Sequence, residues 1–258
     1  MWKFIRISVL LVVLVIVAGT TWLDKARTTE WKQPLRVGIF PMSADGSEAA
    51  ARYIARLTAD RFADIEEFFR TEGARYGIDV PRGPVRIEMF PAPDRLPPVL
   101  EPGSGPLATA WWSLRMRWYA SRADDVPGQP EPHIRLFVLY HDPARNDRVP
   151  HSLGLQKGLL GLVHAFADAG MHRQNNIVIA HEAMHTLGAT DRYDPETGAP
   201  LFPDGYAEPE REPRFPQRAT EIMAGRRPLS ASEHEMPESL RAVVVGRRTA
   251  MEIGWLKP

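Results

Sequence analysis

The sequence predicts an α+β domain, α/β-like in its order, with a small mixed sheet packed on helices. Three observations point there. Apolar, β-branched runs alternate with segments of helical spacing in the order strand, helix, strand, helix, strand, helix. Pro- and Gly-rich stretches separate these runs. The composition is that of an ordinary folded chain, with 258 residues, 44% of them apolar and 25% charged.

Residues 1–23 stand apart from that domain. Lys3 and Arg6 precede Ile7 to Leu23, a run of 17 residues without a charge. At helical rise it spans about 25 Å, close to the thickness of a bilayer core. It reads as a retained transmembrane signal anchor. The alternative is a cleaved signal peptide, for which Val17-Ala18-Gly19 offers only a weak site. The first route leaves the protein membrane-anchored and the second leaves it secreted, and both put the following domain outside the cytoplasm. Residues 24–34 read as a linker, with Trp31 to Gln33 inside it, and 35–258 as one domain.

Within that domain, Leu35 to Phe40 is a strand candidate ended by Pro41. Ser47 to Tyr76 has helical spacing, with Ile54, Leu57, Phe62, Ile65, Phe68 and Phe69 on one broad stripe. Val85 to Phe90 alternates as a strand does. Pro91 to Pro106 holds six prolines and reads as a loop. Leu107 to Ser121 is helical, and its Trp111, Trp112 and Trp118 are expected to anchor packing. Ile134 to Tyr140 is a strand, His141 to Pro150 a polar loop, and Gly154 to Ala167 short strands beside the next helix. Leu240 to Ile253 is expected to form a final helix. The remaining histidines, among them His133, His141 and His172, are expected at surfaces or turns, with His164 buried against a backbone partner.

Net charge is zero, from 32 basic and 32 acidic residues, so nothing points to nucleic acid. The chain has no cysteine, which excludes disulfides and thiolate metal ligands.

One stretch carries chemistry. His181-Glu182-Ala183-Met184-His185 is followed by Gly188 and Asp191, giving H-E-x-x-H-x-x-G-x-x-D. Histidines four apart share one helix face, so both can reach one metal ion, with Glu182 placed to activate a water. With 8 histidines and 32 acids, random placement yields H-E-x-x-H in under about 3% of such chains. Asn175 and Asn176 are candidate N-caps for this helix. Leu187 closes it, and Gly188 makes the helix-ending turn that brings Asp191 back toward the histidines. Asp191 is the candidate third ligand. Asp194, Glu210 and Glu221 are the other acids within reach in sequence.

The long motif resembles that of the metzincin zinc metallopeptidases, in its snapalysin-like variant with aspartate as third ligand. The resemblance covers about 175–225. It implies Zn2+ held by His181, His185 and Asp191, Glu182 as general base, and a methionine turn beneath the metal. Glu221-Ile222-Met223-Ala224-Gly225 matches that turn, with Met223 as its methionine. A C-terminal helix behind the site is also implied. The expected partner is a peptide or protein substrate, laid along an edge strand at Leu153 to Gln156. The tyrosine that some metzincins carry after this methionine is absent, since Ala224, Gly225, Arg226 and Arg227 follow. Tyr193, Tyr206 and His151 are the candidate oxyanion donors instead. Tyr193 to Arg218 reads as an ordered surface loop near the cleft. Two alternatives stay open: a membrane-tethered, zinc-stabilised binding module without catalysis, and a gluzincin-type peptidase with Glu210 or Glu221 as ligand.

Overall fold

A computed structural model describes Arg6 and residues 30–100, 103–123, 126–156 and 159–257. The predicted membrane segment lies outside the described residues. Among those described, no helix is long and apolar enough to cross a bilayer.

A five-stranded mixed sheet organises the domain, in the order β2-β1-β3-β5-β4. Its strands are β1 (Leu35–Ser43), β2 (Val85–Met89), β3 (Ile134–His141), β4 (Leu153–Leu155) and β5 (Leu160–Phe166). All pair in parallel except β4, which runs antiparallel to β5 and forms an edge. Alternate residues of the central strands feed two cores. Val37, Ile39, Leu136 and Val138 face one, while Phe40, Met42, Phe137 and Leu139 face the other. Burial on both faces explains why β1 and β3 read as continuous apolar runs.

The helices divide between those cores. Helices α1 (Glu48–Ile54) and α2 (Ala63–Arg75) connect β1 to β2 over one face, and α3 (Pro106–Ala123) carries the chain back to β3 over the other. Moving to opposite sides on the outward and return crossovers keeps both right-handed. Helix α4 (His172–Thr186) and the short α5 (Arg247–Glu252) join the α1–α2 side. Small ladders complete the C-terminal part: β6 (Thr220–Glu221) with β9 (Val243–Val244), and β7 (Arg227–Pro228) with β8 (His234–Glu235).

Several expectations are corrected. Strand β1 continues through Pro41. Phe90 N–H bonds to Ile39 O, so odd residues of β1 point their backbone groups toward β2, which ends level with Ile39. Pro41 is thus placed where no ladder bond is asked of it. The helix over 47–76 is broken, because Thr58 is extended and starts a 3-10 turn, Ala59–Phe62. The apolar stripe keeps its phase across the break, so periodicity hides it. The final helix shrinks to α5, since Val243, Val244 and Val245 are β-branched and Val243–Val244 pairs as a strand. Trp112 is buried, but Trp111 and Trp118 are exposed, because α3 packs through Trp112, Met116 and Ala120. Trp31 is no free linker residue. It is buried edge-on against Trp255, and its indole N–H donates to Ile253 O at 2.8 Å.

Candidate metal centre

Helix α4 begins three residues before the expected caps. Asn175 and Asn176 lie inside it and are buried. They pin the helix to its neighbours instead of capping it. Asn175 exchanges two hydrogen bonds with the backbone of Phe166 at the end of β5. The Asn176 amide donates to Arg61 O at 2.8 Å and to Asp64. Asn is a common N-cap because it bonds backbone groups, and here it bonds backbone groups of other elements.

One turn of helix separates His181 from His185, whose rings lie 4.7 Å apart between centroids and nearly perpendicular. Each Nδ1 faces a carbonyl oxygen at 2.9 Å, His181 that of Ile222 and His185 that of Ala189. A carbonyl only accepts, so each Nδ1 carries the proton and donates. That leaves the lone pair of a neutral imidazole on each Nε2. Asp191 Oδ1 lies 3.2 Å from His181 Nε2 and 3.1 Å from His185 Nε2.

Three possible ligand atoms therefore meet at one point, an arrangement able to hold a cation. Four-coordinate zinc with ligands at about 2.0–2.1 Å separates its ligand atoms by about 3.3 Å, which fits these spacings. The surrounding groups favour positive charge at that point. Burial alone would push the His181 imidazole down, but Asp191 and Glu182 outweigh it and hold it above its ordinary value. Burial would lift the Asp191 carboxyl, yet the two imidazoles hold it well below the usual carboxylate range. Among the described residues, His181, Glu182 and His185 form a group whose ligand atoms lie within 4.8 Å of one another, able to hold a metal ion.

The loop that delivers Asp191 is built from both ends. Gly188 takes φ +104°, a conformation L side chains avoid, and a Cβ there would lie 2.4 Å from Gln156 Nε2. Beyond it, Thr190 N–H donates to Glu252 of α5 at 3.0 Å, and Arg192 pairs with the same carboxylate. Arg192 N–H also donates to Met223 O at 2.9 Å.

Met223 is buried in a tight turn in which Ala224 and Gly225 N–H return to Glu221 O. Glu221 holds that turn. Its carboxylate accepts from Met223 N at 2.6 Å, Ala224 N at 3.0 Å, Gly246 N at 3.0 Å and Thr249 Oγ1 at 2.7 Å. Both its oxygens are occupied, which removes it as a ligand candidate. Asp194 accepts from Glu196 and Thr197 in its own turn, and Glu210 is exposed on the loop.

Glu182 is buried, and its Oε2 has no hydrogen-bond partner among the described residues. Burial raises its carboxyl above the ordinary value, against the pull of both imidazoles. Edge strand β4 lies over it. A Cβ added to Gly154 would meet His185 Cβ at 2.4 Å and Glu182 O at 2.7 Å, so only glycine lets the strand approach so closely.

Of the three candidate oxyanion donors, Tyr193 stands beside His181, ring centroids 6.5 Å apart. Its phenol is raised by burial, then by the charges of Asp191 and Glu182, and it bonds to Asp191. Tyr206 packs between Phe202 and Phe215, and His151 is exposed. Tyr193 opens the 193–218 loop, which closes on itself through Tyr193 bridging Pro200 and on β6 through Tyr206 bridging Thr220. No spacing in the sequence distinguishes Tyr193 from Tyr206 and His151.

Away from this centre, His141 Nε2 and His164 Nδ1 meet at 2.8 Å. The partner of the His164 ring is thus another imidazole, not the expected backbone group. No family model matches the chain, and no curated protein does either.

Proposed function

We propose that this protein is a zinc-dependent peptidase. It would cleave a peptide or protein substrate, and the N-terminal segment would hold its catalytic domain at the outer side of a membrane. The observation that carries this reading is the convergence of His181 Nε2, His185 Nε2 and Asp191 Oδ1 beside a buried carboxylate, Glu182, with an unpartnered oxygen.

His181, His185 and Asp191 would hold the zinc. When bound, the ion supplies Lewis acidity that polarises a peptide carbonyl and eases deprotonation of water. The residues of the chain do the rest. Glu182, made more basic by burial, takes the proton of the attacking water at its free oxygen and passes it to the leaving amine nitrogen. Tyr193, whose hydroxyl bonds to Asp191 in this structure, would turn that donor to the oxygen on which charge develops once substrate is bound. Ile222 O and Ala189 O fix the imidazole tautomers, as outer partners of metal-bound histidines do. Strand β4 offers an open edge along which an extended substrate backbone can lie. A zinc site kept only for stability has no use for Glu182, which favours the catalytic reading over a binding module.

The test is metal content of the full-length wild type and Asp191→Ala by elemental analysis, followed by peptide-library digestion with the metal-loaded wild type. We expect one zinc per wild-type chain, little in the variant, and cleaved peptides. A folded wild type without zinc would remove the peptidase reading, and zinc without cleavage would leave the tethered binding module.

A further inference from the structure

Helix α3 is apolar on two opposite faces. Trp112, Met116 and Ala120 face the sheet. On the far side Leu107 is 88% exposed, Trp111 64%, Leu114 60% and Trp118 61%. At 100° per residue these four fall within about 60° of arc, almost opposite the buried three. The charged residues of α3 are Arg115, Arg117 and Arg122, with no acid between Pro106 and Ala123. Arg115 and Arg122 flank the stripe on one side, and the Arg122 guanidinium lies 4.1 Å from the centre of the Trp118 ring.

A continuous exposed stripe of Leu and Trp is costly in water and marks a surface that something covers. Leu and Trp bordered by arginine suit the boundary between lipid tails and anionic headgroups, where indoles sit at headgroup depth and guanidinium groups meet phosphate.

We propose that α3 is a membrane-docking helix whose partner is an anionic lipid surface. The argument is independent of the metal centre. Because α3 covers one face of the sheet and α4 the other, docking lays the domain flat on lipid with the layer that carries the histidines turned away.

The chain has no cysteine, so a single introduced thiol reports one position. Full-length Leu114→Cys and Thr71→Cys, the latter exposed on α2 across the sheet, would be spin-labelled and mixed with vesicles of phosphatidylcholine and phosphatidylglycerol. Label accessibility to a water-soluble nickel complex and to oxygen would then be measured. We expect nickel accessibility at 114 to fall several-fold on vesicle addition while oxygen accessibility rises, with residue 71 unchanged. We also expect Arg115→Gln with Arg122→Gln to reverse much of that fall. Equal water access at 114 and 71, or no association with the vesicles, would overturn the proposal. So would spin–spin broadening at 114 without lipid, which assigns the stripe to a second copy. Shielding that is the same on pure phosphatidylcholine and indifferent to the arginines would overturn the anionic partner.

Discussion

Glu252, in the last helix, pairs with Arg192, the residue after Asp191, and the same carboxylate accepts from Thr190, the residue before it. The loop that offers the candidate third ligand is therefore gripped from a helix sixty residues further on. Glu252→Ala should leave the fold in place but weaken zinc binding about 10–100-fold, the usual cost of losing an outer-shell partner. Competition against a chelator of known affinity measures it, and unchanged affinity would show that the loop holds Asp191 unaided.

Glu182→Gln keeps the shape and burial of the side chain and removes the base. Zinc content should stay at the wild-type level while peptide hydrolysis falls by about 10²–10⁴. Activity retained in the zinc-loaded variant would take Glu182 out of the mechanism.

Tyr193→Phe removes one hydroxyl and little packing. If that hydroxyl stabilises the developing oxyanion, kcat should drop by about 10²–10³ with KM nearly unchanged. A rise in KM alone would place Tyr193 in substrate binding.

Gly154→Ala inserts a methyl group where His185 Cβ would lie 2.4 Å away and Glu182 O 2.7 Å away. Strand β4 has to retreat, at a cost of about 1–3 kcal/mol. Thermal unfolding should show the loss, and hydrolysis should fall further than stability does. An unaltered Tm would mean that β4 yields freely.

His164 supplies a pH dependence. Burial, then the neighbouring His141, lowers its imidazole from the ordinary 6.5 to about 4. Protonation is thus penalised in the folded chain, and between those values the unfolded chain binds more protons. Stability should be full above about pH 6.5 and decline as pH falls toward 4, by about 1–2 kcal/mol once partial solvent access is allowed for. His164→Gln should flatten Tm against pH across that window, and a parallel decline in wild type and variant would assign the effect elsewhere.

The convergence of His181 and His185 is the most legible part of the candidate site, because a helix fixes i, i+4 geometry wherever it lies. His181, Glu182, His185 and Gly188 needed only local rules. Asp191 could be guessed from a turn, but the grip of Glu252 on its loop is a contact between distant segments and has no local signature. The strands were legible because β1 and β3 are buried on both faces. Residues whose chemistry has two uses are not settled by local rules. Asn175 and Asn176 have the preference of caps but tie the helix to other elements. Trp111 and Trp118 have the hydrophobicity of core residues and sit outside. Glu221 has the charge of a ligand and serves as a strut for four donors. In each case the residue type was informative, and the tertiary partner decided its use.

Trp31 enters the domain with its indole N–H bonded to Ile253 O, one residue beyond Glu252. Traction on the chain from its N-terminal side is therefore resisted first at the end of α5, and the next link along that line is the carboxylate gripping the Asp191 loop. The point where a tether would pull and the part that sets the ligand geometry are mechanically in series.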